Sequence, residues 1–128
     1  YNANPASMAA AIESLAAIEG PGQKIAVLGD MFELGSQSRN EHLRLGQRVA
    51  RSGIDRLYLL GRRAREVKNG AVRAGMKERA IVIGRDHKDL AAQIGRSVRK
   101  GDWLLFKGSR GMKMENVLAQ LKERASGV

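Results

Sequence analysis

Three short segments of this chain gather side chains that could do chemistry. The richest is Phe106-Lys107-Gly108-Ser109-Arg110-Gly111-Met112-Lys113-Met114-Glu115, where three cations and a hydroxyl surround two glycines just ahead of a helical pattern. That set suits a carboxylate or phosphate: arginine grips such a group with two parallel bonds, lysine adds point charge, and the glycines let the backbone approach closely. It competes with a plain reading as a solvated basic turn. A second segment, Leu28-Gly29-Asp30-Met31-Phe32-Glu33-Leu34-Gly35, puts a carboxylate in a glycine-bounded loop. Asp30 there could orient a substrate amine or a water, or it could only satisfy loop N–H groups, as loop aspartates commonly do. The third, Tyr1-Asn2-Ala3-Asn4-Pro5-Ala6-Ser7, is a polar turn running into a helix whose free N–H groups favour anions or polar ligand edges. Asparagine amides can meet both the donor and the acceptor edge of an adenine. Equally, Asn4 could be a helix cap and no more.

The elements that must hold these segments follow from the apolar pattern. Four nearly continuous apolar runs, Lys24 to Leu28, Arg56 to Leu60, Ala80 to Ile83 and Asp102 to Phe106, read as strands buried on both faces. Gly29, Gly61, Gly84 and Gly108 mark their carboxyl ends, where open α/β sheets bind ligands. Segments of helical period lie between and around them. The first has Asn4 as cap, Pro5 at the position where a missing N–H costs nothing, and Met8, Ile12, Leu15 and Ile18 along one face. The second runs from Ser38 to Ser52 with Leu43, Gly46, Val49 and Ala50 inward. The third runs from Arg63 to Ala74 with Ala64, Val67 and Ala71 inward, and Gly70 weakens it by about 1 kcal/mol relative to alanine. The fourth is capped by Asp86 and buries Leu90, Ile94 and Val98. The fifth, Met114 to Arg124, buries Met114, Val117, Leu118 and Leu121. This alternation predicts an α/β, Rossmann-like three-layer domain over 1–128, with a mostly parallel sheet and helices on both faces. The chain opens on a helix cap rather than a strand, so a βα unit interrupted at its strand, and hence a fragment of a larger protein, is expected.

Composition narrows the classes. The chain of 128 residues has no cysteine, which excludes disulfides and cysteine-based zinc sites and favours a cytoplasmic setting. His42 and His87 have no second histidine at metal-ligand spacing, so no metal site is expected. His87 is expected to be exposed, and His42 to lie beside the inward face of the second helix. The 23 lysines and arginines against 13 acids raise nucleic-acid binding. Yet the cations are scattered with acids among them, and stacking aromatics are few, so no nucleic-acid partner is expected. No nucleophile, base and orienting group come together, so positioning, not side-chain catalysis, is the expected contribution. The glycine, four residues, Gly-Lys-Ser/Thr order of a phosphate loop is absent too, so the chain does not bind and activate a nucleoside triphosphate by itself.

In their order and spacing, Tyr1 to Met8, Gly29 to Gly35 with Ser38 and His42, and Lys107 to Glu115 resemble the C-terminal, Rossmann-like domain of the Mur ligases of the MurF type, which join D-alanyl-D-alanine to a UDP-N-acetylmuramoyl tripeptide. The resemblance spans essentially the whole chain. It implies a three-domain cytoplasmic enzyme of peptidoglycan precursor synthesis that uses ATP and Mg2+ to phosphorylate the tripeptide carboxylate. The dipeptide amine would then attack the acyl phosphate. It further implies that the phosphate loop and metal ligands belong to the central domain, so this chain alone is inactive and binds no cofactor tightly. Tyr1, Asn2, Asn4 and Pro5 fall to the nucleotide side, and Asp30, Lys107, Ser109 and Arg110 to the dipeptide side. A monomer is expected. The rival readings are a free-standing basic α/β module for nucleotide or nucleic acid, and a scaffold without a ligand site.

Overall fold

The computed structural model describes residues 3–126. Four parallel strands, β1 (Lys24–Leu28), β2 (Arg56–Leu59), β3 (Ile81–Ile83) and β4 (Trp103–Lys107), form one sheet in the order β3-β2-β1-β4. Five α-helices surround it: α1 (Pro5–Ala16), α2 (Ser38–Arg51), α3 (Ala64–Arg73), α4 (His87–Ser97) and α5 (Glu115–Ser126). The chain moves outward from β1 through β2 to β3, then crosses back to place β4 on the other side of β1. That reversal is a topological switch point, and it lies between the carboxyl ends of β1 and β4.

Strand side chains alternate between two cores, as a pleated strand requires. Ala26, Leu28, Leu57 and Leu59 meet Met8, Ile12, Val49 and Val67 on one side, which puts α1, α2 and α3 there. Ile25, Val27 and Tyr58 meet Leu90, Ile94 and Val117 on the other, with α4 and α5. The three-layer arrangement expected from the alternation is therefore present. The first helix begins as expected: the Asn4 side chain accepts from Ser7 N at 2.8 Å, Ser7 Oγ accepts from Asn4 N at 3.1 Å, and Pro5 occupies the first turn.

Several details differ from the sequence expectation. β4 is displaced by one residue, because Asp102 is not a strand residue but a brace: its carboxylate accepts from Gln23 N and Arg99 N and ties the turn before β4 to the one before β1. On α2 the buried residues are His42, Leu45, Gly46 and Val49; Leu43 and Ala50 are half-buried. Val98 is half-buried and ends α4. Leu118 and Leu121 are half-buried as well, and Met114 is buried just ahead of α5. Gly70 turns out to be a contact point. A Cβ on Gly70 would stand 1.9 Å from Leu43 O, and one on Gly46 would stand 1.9 Å from Val67 O, so α2 and α3 cross backbone to backbone at these two glycines.

Candidate functional site

The loops after β1 and β4 meet at the switch point through their backbones. Gly29 N donates to Lys107 O and Ser109 N to Asp30 O, both at 2.8 Å, which continues the sheet ladder past the strand ends. Glycines permit this approach, since a Cβ on Gly108 would lie 3.0 Å from Gly29 Cα, and one on Gly29 would lie 2.8 Å from Met114 Sδ. The two segments picked out in the sequence are thus brought together.

Their side chains divide the work unevenly. Ser109 is buried, 1% exposed: its hydroxyl accepts from Phe32 N at 2.7 Å and donates to Ala3 O at 3.4 Å. It pins the β1 loop, the β4 loop and the turn before α1 to one another. Both of these bonds of the hydroxyl are to backbone atoms. The Asp30 carboxylate, 6% exposed, accepts from Arg62 N at 2.9 Å and Arg63 N at 3.0 Å. It sits over Gly61, where a Cβ would come within 2.4 Å of Asp30 Oδ1. Successive backbone N–H groups cup the carboxylate as they would a bound anion. Of the two readings of Asp30 left open by the sequence, the backbone-satisfying one describes its bonds here. Lys107 is half-buried and Arg110 exposed.

The N-terminal turn reaches the same end of the sheet through Ala3, whose carbonyl meets Ser109. Asn4 is exposed, and its Oδ1 accepts the helix-cap bond from Ser7 N, while its NH2 can donate. Tyr1 and Asn2 lie outside the described residues.

Two cavities open beside these loops. One of about 660 Å³ is lined by Asp30, Phe32, Glu33, Ser38, Arg62 and Arg63 among others, with Glu33 held at φ +63°, a strained conformation for a side-chain-bearing residue. Neither Lys107 nor Arg110 lines it. The other, about 550 Å³, runs between α1 and α2 and is lined by Pro5, Arg44, Arg48 and Arg51. Arg44 and Arg48 also form ion pairs with Glu41 and Glu13. The sequence reading passed over these three arginines as scattered charge, although their spacing places them on one helix face.

His42, expected beside the inward face of α2, lies in the core instead. It is fully buried; Met31 N donates to its Nε2 at 3.0 Å, and its Nδ1 donates to Ser38 O at 2.7 Å, which sets the tautomer and clamps the loop that carries Asp30. His87, expected to be exposed, is half-buried because its Nε2 bonds Met112 O at 2.7 Å and fastens α4 to the β4 loop.

A parallel sheet of this order, with glycine-ended strands converging at the switch point, defines a Rossmann-like α/β domain. The chain belongs to the Mur ligase family: residues 1–110 match the model of the Mur ligase, glutamate ligase domain. It is 39% identical over 123 residues to the UDP-N-acetylmuramoyl-tripeptide–D-alanyl-D-alanine ligase of Bacillus subtilis, covering 96% of this chain and 27% of that protein. Against the Escherichia coli enzyme of the same name it is 34% identical, covering 98% and 26%. Among solved structures, MurF from Thermotoga maritima in complex with ADP superposes with a TM-score of 0.81 at 32% identity over 99% of this chain and 27% of that one. Acinetobacter baumannii MurF gives 0.82 at 31% identity, over 96% and 27%. The chain thus spans about a quarter of the length of these relatives.

Proposed function

We propose that the chain works as the C-terminal domain of a three-domain, ATP-dependent ligase that adds D-alanyl-D-alanine to the UDP-N-acetylmuramoyl tripeptide during peptidoglycan precursor synthesis in the cytoplasm. The observation that carries this reading is the near-complete coverage of the chain by relatives bearing that name, joined to two loops locked at the switch point. The same relatives disfavour a free-standing nucleic-acid module.

Within that reading the nucleotide side is formed by the turn before α1, with Asn4 donating to a base edge and Pro5 shaping the turn, together with Tyr1 and Asn2. On the dipeptide side, Arg110 and Lys107 supply the charge that holds a carboxylate. Asp30 and Ser109 act through the backbone, by holding the loops in register. A magnesium ion finds no home here: no group of three His, Cys, Asp or Glu side chains occurs among the described residues, and both Asp30 oxygens are taken by backbone N–H groups. In this reading the metal and the phosphate-transfer step are assigned to the rest of the ligase. The contribution of this domain is positional, since fixing an amine beside an activated carboxylate makes a bimolecular step local.

The test is Arg110→Ala in the full-length ligase, with steady-state kinetics in both substrates. Loss of a charge-assisted bond of about 1.5–3 kcal/mol corresponds to a rise of roughly 10- to 100-fold in the dipeptide KM, with the ATP KM little changed. An unaltered dipeptide KM removes Arg110 from the site.

A further inference from the structure

At the amino ends of the strands, away from the loops described above, lies a cavity of about 600 Å³ lined by Arg56, Arg96, Arg99 and Lys100, with Gly101 and Asp102 among the remaining walls. The acid does not neutralise these cations through an ion pair. Asp102 spends Oδ1 on Gln23 N at 2.9 Å and Oδ2 on Arg99 N at 2.8 Å, and none of the ion pairs among the described residues includes any of the four. Compensation of the α4 dipole accounts for a cation at Arg96, in the last turn. It does not account for Arg56, which enters from the start of β2.

Arg56 is also the preorganised member. Its Nε donates to Tyr58 Oη at 3.2 Å, its guanidinium lies 5.7 Å from the Tyr58 ring centre, and the buried Tyr58 hydroxyl is in turn bonded to Ser97 Oγ. Among the described residues nothing bonds the two terminal nitrogens of Arg56, and these are the atoms that grip an oxyanion. A neighbouring cavity shares Arg56 and Gln23 and adds Lys77 and Arg79 together with one acid, Asp55, whose Oδ2 accepts from Lys24 N. Like charges around one cavity repel, and a bound polyanion relieves that repulsion.

We propose that this cavity is an anion site for a phosphate-bearing ligand, a diphosphate group in particular, held by the Arg56 fork and the Arg96, Arg99 and Lys100 charges. Its chemistry fits a soluble polyphosphate or the headgroup of an anionic phospholipid. The site stands apart from the switch-point loops by the length of the strands, about 15 Å, and does not depend on the ligase reading.

The experiment is an NMR titration of the 128-residue chain with inorganic pyrophosphate at constant ionic strength, following the amides of Arg99 and Gly101 and the indole of Trp103, the single tryptophan in the chain. A parallel arm measures co-sedimentation with phosphatidylglycerol vesicles against phosphatidylcholine vesicles. The expected result is a saturable shift centred on these residues, or vesicle binding that requires the anionic lipid. Either should weaken by at least about tenfold in Arg99→Glu/Lys100→Glu, whose two side chains are exposed. Pyrophosphate saturation identifies the soluble source, and vesicle binding without it identifies the headgroup. Lys100→Gln serves if the double variant melts early. Non-saturating shifts with no vesicle binding, shifts centred on the Lys107–Lys113 loop, or binding indifferent to the substitutions would overturn the proposal.

Discussion

Gly70→Ala sets local propensity against tertiary contact, and the two predict opposite signs. Inside α3, alanine is worth about 1 kcal/mol more than glycine on propensity alone. The new methyl carbon, however, would sit 1.9 Å from Leu43 O and 2.8 Å from Leu43 C. Both atoms are backbone of α2 and cannot rotate aside. Contacts below 3.4 Å are already tight, so α2 and α3 must separate by about 1.5 Å at the crossing, which also disturbs the Gly46 contact with Val67 O. Overpacking of this kind costs about 1–3 kcal/mol, and a backbone obstacle belongs at the upper end. The net expectation is a loss of about 1–2 kcal/mol, a fall in melting temperature of roughly 4–10 °C for a domain of this size. Gly95→Ala is the control: it lies in α4, its nearest neighbours would be flexible side-chain atoms of Arg124 and Leu121 at 3.7 Å, and there propensity should win. Calorimetry on both variants at matched concentration decides the matter. If Gly70→Ala melts at or above the parent, or if both variants move alike, close helix approach is not what the glycine provides.

Two further substitutions separate loop holding from substrate contact. Asp30→Asn keeps one acceptor but turns an NH2 toward the Arg62 and Arg63 amides, so a loss of about 2–3 kcal/mol is expected in denaturant unfolding; unchanged stability would mean that the carboxylate does not hold the β2–α3 turn. His42→Phe preserves an aromatic ring but leaves the buried Met31 N–H without its acceptor, at about 1–3 kcal/mol. Faster hydrogen exchange at Met31 is the readout, and unaltered protection would sink the clamp.

The layers of the fold were legible because apolar runs and helical period carry that information directly. β1 has the bounds that its five apolar-rich residues suggested, and Asp86 caps α4 as the pattern required. What escaped was set by contacts between distant residues. His42 reads as a polar residue beside an apolar stripe, and only the path of the β1 loop, eleven residues earlier, makes it a core residue. Asp102 looks like the first residue of a strand until the turn at Gln23 is beside it. Gly70 counts as a defect in a lone helix and becomes a requirement once Leu43 O is opposite.

The same distinction orders the candidate site. Motif residues stood out in the sequence because their types and spacing are unusual, but type and spacing do not say which atoms face a ligand. Asp30 and Ser109 have their polar atoms committed to Arg62, Arg63, Phe32 and Ala3, so their substitution should act on loop geometry before it acts on any bound molecule. Arg110, by contrast, is an exposed residue of the β4 loop. A constellation at a switch point therefore contains two kinds of residue, those that build the rim and those that reach from it, and burial tells them apart. By that criterion substitutions at Asp30 and Ser109 should lower stability and dipeptide binding together, whereas Arg110→Ala should weaken binding with the melting temperature held. Measuring both quantities on the same set of variants tests the division directly, and a stable Asp30 variant with a raised dipeptide KM would return that carboxylate to the substrate.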